Sequence, residues 1–266
     1  MKVYISADIE GVTGVLDKSE TTVGSADYET ARKQMTREVA AACNGAMESG
    51  AMDIVVKDAH AGGRNILAAD LPAGVRLMRG WSGHPYMMME ALDTTFDAAM
   101  LIGYHDRGGS SGNPLAHTIN SRKINTVTIN GLPASEFQIN TMTAGLEQVP
   151  VVLISGDQHI CTEAEEMIPG IATVPVKLGS GASVLSLHPD QACEQIRQSA
   201  RQSLSEDSFP PALELPEYFE VHIEYIDFKD AFQAAFYPGV RSLSAKGVVF
   251  ESHDYFDVLR LFLFLL

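Results

Sequence analysis

The chain has 266 residues, of which 45% are hydrophobic and 20% charged, and its formal net charge is −15. That length and balance suit one large α/β domain, or a main domain with a smaller companion, and exclude disordered and fibrous classes. The acidic excess, with no compensating cluster of Lys or Arg, argues against nucleic acid and against anionic membrane surfaces as partners.

The first apolar run, 2–8 ("KVYISAD"), reads as a strand, yet it leads straight into Asp8, Glu10 and Gly11. Lys2 and those acids also interrupt any signal-peptide hydrophobic stretch. A helix is expected from about Asp27 to Ser49, with Met35, Val39, Cys43 and Met47 at four-residue intervals and Gly50 as its stop. Strands follow at 53–59 and 75–79, a helix at about 85–92, and a strand at 97–104. "INTVTINGLPA" predicts a local hairpin turning at Asn130-Gly131. Beyond it come a helix at 135–148, a strand at 150–156, a helix at 162–168, a strand at 172–178 and a helix at 189–205. Short Val/Ile-rich runs alternating with helical segments imply parallel strands joined by crossover helices: an α/β fold, mostly parallel, with helices on both faces.

The stretch 206–217, "EDSFPPALELPE", interrupts regular structure with acids and prolines. It divides an α/β metal-binding catalytic domain, 1–207, from a smaller C-terminal α+β portion, 208–266, that packs on the first. The smaller portion reads as strand 218–226, helix 229–237, strand 241–251 and helix 253–266. Its apolar end, "VLRLFLFLL", is far short of the roughly 20 residues of a membrane span and reads as a packed helix. Cys43, Cys161 and Cys193 are odd in number and widely spaced, which fits a reducing cytoplasm better than a disulfide framework.

In an open parallel sheet, ligands bind beyond the carboxyl ends of the strands, near the point where strand order reverses. Three predicted strands end there on metal-capable groups: Asp8 and Glu10, then Asp58 and His60, then His105. Residues two apart on a strand share a side, so Asp8 projects with Glu10, and Asp58 with His60. Taken singly, such residues cap turns or helices. Together, carboxylates that would repel one another become ligands around a divalent cation. Imidazole and carboxylate without thiolate suit Zn²⁺ with open positions, and Mn²⁺ or Fe²⁺ less well; Mg²⁺ prefers oxygen alone.

The motifs "MKVYISADIEGVTGV", "VKDAHAGGRNI", "FDAAMLIGYHDRGG", "LAHTI", "TINGLPASEFQIN", "VPVVLISGDQ" and "ATVPVKLGSGASV", in this order and spacing, resemble the zinc-dependent D-aminopeptidases of the bacterial dipeptide-transport operon type. The likeness covers most of the chain. It implies two Zn²⁺ per chain, held by Asp8, Glu10, His60, His105 and Glu136, with His117 as an active-site acid/base or oxyanion stabiliser and Asp58 as an acceptor behind a ligating histidine. Glu136 comes from the resemblance; read alone it is a first-turn acid favoured by the helix dipole. The resemblance further implies short substrates with an N-terminal D-residue, of the D-alanyl type, and a ring-shaped homodecamer of two stacked pentamers. The chain departs from the family at Gln158 and His159, where a second acid and a basic residue are usual, which bears on selectivity.

Three rival readings compete. "GGSSG" at 108–112 satisfies G-x-S-x-G and would make Ser110 the nucleophile of a serine hydrolase, but Asn113-Pro114 follows where a helix is required. "LGSGAS" at 178–183 suggests a phosphate loop, yet Lys177 precedes the glycines instead of following them. A non-catalytic metal- or peptide-binding protein would use the same carboxylates and histidines without turnover. Met78 and Met87 to Met89 read as core filling, Trp81 and His84 as a turn or pocket entrance, and His188, His222 and His253 as structural or solvated.

Overall fold

The computed structural model describes residues 1–204 and 209–266; the boundary expected at 207/208 lies outside the described residues. The first strands are β1 (Lys2–Ala7), β2 (Asp53–Asp58), β3 (Val75–Met78) and β4 (Ala98–Tyr104). With β7 (Val151–Asp157), β8 (Ala172–Ser180) and β9 (Ser183–Ser186) they form a seven-stranded sheet ordered β3-β2-β1-β4-β7-β8-β9. All pairs are parallel except β8 with β9. The segment 178–183 is therefore the tip of a hairpin, and it turns the chain. Strand order reverses between β1 and β4, which places the topological switch point between the strands that lead into Asp8 and His105.

Both faces of this sheet are buried, as parallel sheets require. Val3, Ile5 and Ala7 of β1 point into one core, shared with Met35, Val39 and Cys43 of helix α2 (Tyr28–Glu48) and with Ala192, Ile196 and Ala200 of α5 (Pro189–Ser203). Tyr4 points the other way, into a second core beneath α3 (Glu136–Leu146) and α7 (Tyr255–Leu265). Val258, Leu259, Leu261 and Phe262 of α7 are buried there, so the apolar C-terminal segment spends its hydrophobicity on packing. Among the described residues no helix is long and apolar enough to cross a membrane.

The second core is closed by a five-stranded antiparallel sheet. Its strands are β5 (Ile124–Ile129), β6 (Leu132–Pro133), β10 (Phe219–Tyr225), β11 (Arg241–Ser242) and β12 (Gly247–Ser252), ordered β11-β12-β10-β5-β6. Phe219, Val221, Ile223 and Tyr225 are buried and alternate with Glu220, His222 and Glu224, the pattern of a sheet with one wet face. The predicted hairpin forms β5 and β6, with Asn130 and Gly131 both at positive φ (52° and 79°), as a type I′ turn needs. It pairs with β10, so the smaller sheet draws strands from both sides of the 207/208 division.

Several elements differ from the sequence reading. The helix expected at 85–92 is a short 3₁₀ turn, Met87–Met89, because Met87 and Ala91 take positive φ and break the helical path. Helix α4 (Gln158–Met167) starts four residues earlier than expected, since the Asp157 side chain caps it by accepting from the Ile160 N–H. The strand expected at 241–251 is two, β11 and β12, joined by a turn. Two short helices, α1 (Lys18–Thr21) and α6 (Phe228–Ala234), complete the chain.

Candidate metal centre

The centre is possible because β1 and β4 end almost in contact. Gly11 N donates to Gly103 O (2.8 Å) and Asp8 N to Ile102 O (2.9 Å). A Cβ on Gly11 would lie 1.7 Å from Tyr104 O, and one on Gly103 would lie 2.3 Å from Asp8 O. Two hydrogens where other residues carry carbon thus bring the first acidic turn against His105.

β1 stops at Ala7, so Asp8 and Glu10 converge through a turn and not through strand alternation: Asp8 Oδ1 accepts from Ile9 N (2.9 Å), and Val12 N closes on Ile9 O (3.2 Å). β2 likewise stops at Asp58, and Asp58 and His60 part company. Asp58 accepts from Asn65 N (2.6 Å), Asn65 Nδ2 (2.7 Å) and Ile66 N (2.8 Å), while Asn65 Nδ2 also donates to His60 O (2.8 Å). Asp58 therefore shapes the loop that presents His60 without touching its ring. The acceptor expected of Asp58 is instead the Thr21 carbonyl, 2.8 Å from His60 Nε2.

Two trios result. His60 Nδ1 lies 3.2 Å from Asp8 Oδ1 and 2.8 Å from Glu10 Oε2. His105 Nε2 lies 3.6 Å from Glu136 Oε1, and His117 Nε2 is also 3.6 Å from that oxygen. Asp8 joins them, its Oδ2 standing 3.4 Å from His105 Nε2. Within each trio the donor atoms lie inside 4.8 Å of one another. The rings of His105 and His117 stack, centroids 4.4 Å apart. Glu136 opens α3 behind its Ser135 N-cap and also accepts from Ile119 N (2.7 Å), which ties the loop bearing His117 to the helix.

The donor set fits divalent cations. Ligands about 2 Å from a tetrahedral Zn²⁺ stand about 3.3 Å apart, close to the spacings above. Both carboxylate oxygens of Glu10 and Nε2 of His105 are buried without a hydrogen-bond partner, despite the short approach of His60 to Glu10. Each of the three imidazoles also turns its far nitrogen onto a main-chain carbonyl: His60 Nε2 to Thr21 O, His105 Nδ1 to Asp106 O (2.8 Å) and His117 Nδ1 to Leu115 O (2.9 Å). A ring N–H held that way leaves the near nitrogen as a lone pair facing the carboxylates, the outer bonding that orients metal-binding histidines.

Without a cation, protons balance the charge. Burial, then the Glu10 charge, pushes Asp8 up to about 7. Burial works against charge on His105, but Glu136 and Asp8 outweigh it and raise the imidazole to about 10. His60 is raised in the same way: burial opposes its charge, and Glu10 and Asp8 prevail. Burial also resists ionisation of Glu10 and Glu136, yet His60 holds the first and His105 the second below the usual carboxylate range. His117 is the exception; burial and the His105 charge push it down, favouring a neutral ring.

Behind the first trio lies a layer the sequence reading did not single out. Lys177 Nζ donates to Glu10 O (2.5 Å) and Val15 O (2.6 Å), and Asn113 Nδ2 donates to Glu10 O (3.1 Å) and Asp157 Oδ2 (3.0 Å). Burial pushes Lys177 down to about 8. The available signal was a lysine in an otherwise apolar parallel strand, where an ammonium group must find acceptors.

Ser110 stands apart. Its hydroxyl donates to Asp106 Oδ2, within a run of turns with no helix after it, so the elbow a nucleophile requires is missing. Gln158 and His159 line a different cavity, of about 670 Å³, with Arg107 and Glu163. The cavity over the metal centre measures about 710 Å³ and is lined by Asp8, Glu10, His60, His117 and Glu136, with Trp81 among its other walls.

The sequence model of a family described as "D-aminopeptidase", peptidase family M55, matches residues 1–264. A curated D-aminopeptidase from Bacillus subtilis (strain 168) is 30% identical over 256 residues, covering 96% of this chain and 92% of the relative. The solved structure of the Zn-dependent D-aminopeptidase DppA from Bacillus subtilis, described as a self-compartmentalizing protease, is similar with a TM-score of 0.91 at 29% identity. That likeness covers 99% of this chain and 96% of the other.

Proposed function

This chain belongs to the D-aminopeptidase family and is a metallo-aminopeptidase; from that premise we propose that it binds two Zn²⁺ and removes an N-terminal D-residue, of the D-alanyl type, from short peptides or amides. The observation that carries the two-ion reading is the pair of trios linked by Asp8, whose Oδ2 stands 3.4 Å from His105 Nε2, with every imidazole anchored by a carbonyl at its far nitrogen. Asp8, Glu10 and His60 would hold one ion, and Asp8, His105 and Glu136 the other. When bound, such ions polarise the scissile carbonyl and lower the pKa of a water to about 7.

The remaining work falls to the protein. His117, kept neutral by burial and with its Nδ1–H on Leu115 O, presents a free Nε2 to the cavity. It accepts a proton there and, once protonated, returns it to the leaving nitrogen or donates to the developing oxyanion. Asp58 fixes the loop bearing His60, and the buried floor excludes bulk water, which strengthens each of these electrostatic contacts.

A homo-oligomer, in the form of a ring-shaped decamer, completes the proposal. It is supported by the self-compartmentalizing relative and by an exposed aromatic stripe on and just beyond α6: Phe228, Phe232 and Phe236 are 60, 68 and 75% exposed. Cytoplasmic residence is supported by three free cysteines. The test is metal analysis beside hydrolysis of D-alanyl peptides before and after chelation. About two zinc ions per chain and activity restored by zinc are expected; metal bound with no turnover on any D-alanyl substrate would favour a binding protein instead.

A further inference from the structure

The cavity over the metal centre is electrically polarised. Its acidic lining residues are Asp8, Glu10 and Glu136, all ligands on the buried floor. Its lysine and arginine lining residues are Lys18 and Arg122, both exposed. The Lys18 side chain is 52% exposed and leans to within 3.7 Å of Glu10 Oε1, a carboxylate that an ion would occupy. Arg122 presents its guanidinium with no acid partner among the described residues, and only its main-chain N–H is engaged, by Asn120 Oδ1 (3.1 Å). The walls include the apolar side chains of Met88, Ile119 and Phe262.

On the aminopeptidase reading the amino end of the substrate lies at the metal-facing floor, so an arginine at the mouth with no acid partner among the described residues invites the opposite charge at the other end of the ligand. We propose that Arg122 binds the C-terminal carboxylate of the substrate, so that this enzyme prefers free di- and tripeptides to amides, esters and longer chains. Arginine is the suited residue, because its planar fork meets a carboxylate with two parallel hydrogen bonds. The cavity, within the range of small-ligand sites, sets the reach between the two ends. Arg122 is thus a specificity determinant: the carboxylate it holds lies away from the bond that breaks, and its contribution enters through KM.

The proposal rests on the aminopeptidase reading, and the experiment separates the two. Zinc-loaded protein is given D-alanyl-glycine and D-alanyl-glycinamide, and kcat/KM is compared in wild type, Arg122→Ala and Arg122→Lys. In parallel, calorimetry follows binding of the non-hydrolysable reduced-amide analogues with and without the carboxylate. The wild type is expected to favour the free acid about tenfold, mainly in KM. Arg122→Ala should bring that ratio close to one, and Arg122→Lys should restore part of it. Because the side chain is exposed, the variants should fold as the wild type does. A wild-type ratio near one, or a ratio unchanged in Arg122→Ala, overturns the proposal. Absence of any hydrolysis overturns the aminopeptidase reading alone, and the carboxylate-dependent binding then still decides the role of Arg122.

Discussion

The two trios around Asp8 are built differently. Asp8, Glu10 and His60 come from the ends of neighbouring strands of one sheet, with β1 and β2 in continuous parallel register from Lys2 and Asp53 to Ala7 and Asp58. His105, His117 and Glu136 combine a strand end of the large sheet, a loop, and a helix that follows a hairpin of the small sheet. One half-site needs only the sheet; the other needs two sheets docked correctly. The first should tolerate damage to the small sheet, and the second should not.

Asp8, which reaches His60 on one side and His105 on the other, should show the largest effect. Asp8→Asn removes the charge that joins the two half-sites, so both zinc ions should be lost or held weakly, and activity should fall below detection. Metal analysis after gel filtration checks this, and a variant that retained both ions would show that Asp8 does not bridge the two half-sites. Next come the separate halves. His60→Ala and Glu136→Gln should each leave about one zinc ion per chain. Substituting Gly131 by Val, which forbids the hairpin turn, should resemble Glu136→Gln and spare the Asp8–Glu10–His60 site. Loss of both ions from the Gly131 variant would break the distinction.

His117 sharpens the comparison within the second trio. Its Nε2 reaches Glu136 as closely as that of His105 does, so geometry alone allows it to be a ligand. As a proton-transfer group, His117→Ala should cut kcat roughly 10²- to 10⁴-fold with zinc content unchanged. Loss of one ion in that variant would move His117 into the ligand set. A smaller effect is expected behind the first trio. Lys177→Met frees the Glu10 carbonyl from its strongest donor and should weaken zinc binding there by about 10- to 100-fold, as loss of outer-shell partners does elsewhere. Chelator competition reads this directly, and equal weakening at both sites would deny the local role.

Legibility in the sequence extended as far as the strand ends of the large sheet. The parallel strands were visible as Val/Ile-rich runs, and Asp8, Glu10, His60 and His105 stood out because polar residues at the ends of such runs have few structural excuses. The reason for their convergence was not visible: β1 and β2 each stop one residue earlier than expected, and turns aim the side chains. Asp58 shows the cost, since strand alternation paired it with His60 while the true loop turned it towards Asn65. Glu136 and His117 were found through resemblance, because a first-turn glutamate and a loop histidine carry no periodic signal. Thr21 and Asn113 contribute through a carbonyl and an amide, which any residue or many polar ones could supply, so no local pattern marks them.

Protons and zinc compete for the same atoms, and this yields the most modest prediction. In the chelated protein His105, raised to about 10 against about 6.5 when unfolded, contributes stability that is full below pH 6.5 and lost as pH climbs towards 10. His60 acts with the same sign. Asp8, raised to about 7, has already lost its contribution by that pH, whereas Glu10 and Glu136, lowered in the folded state, keep theirs throughout. Lys177 works oppositely, because its depressed pKa makes it a liability that fades as pH rises, but it does so with or without zinc. The difference between loaded and chelated protein therefore isolates the histidines. Between pH 7 and 10 the Tm of the chelated form should fall by several degrees more than that of the loaded form, in which zinc replaces the imidazole protons. Parallel Tm curves over this interval would mean that the metal-facing nitrogens of His60 and His105 do not carry protons when zinc is removed.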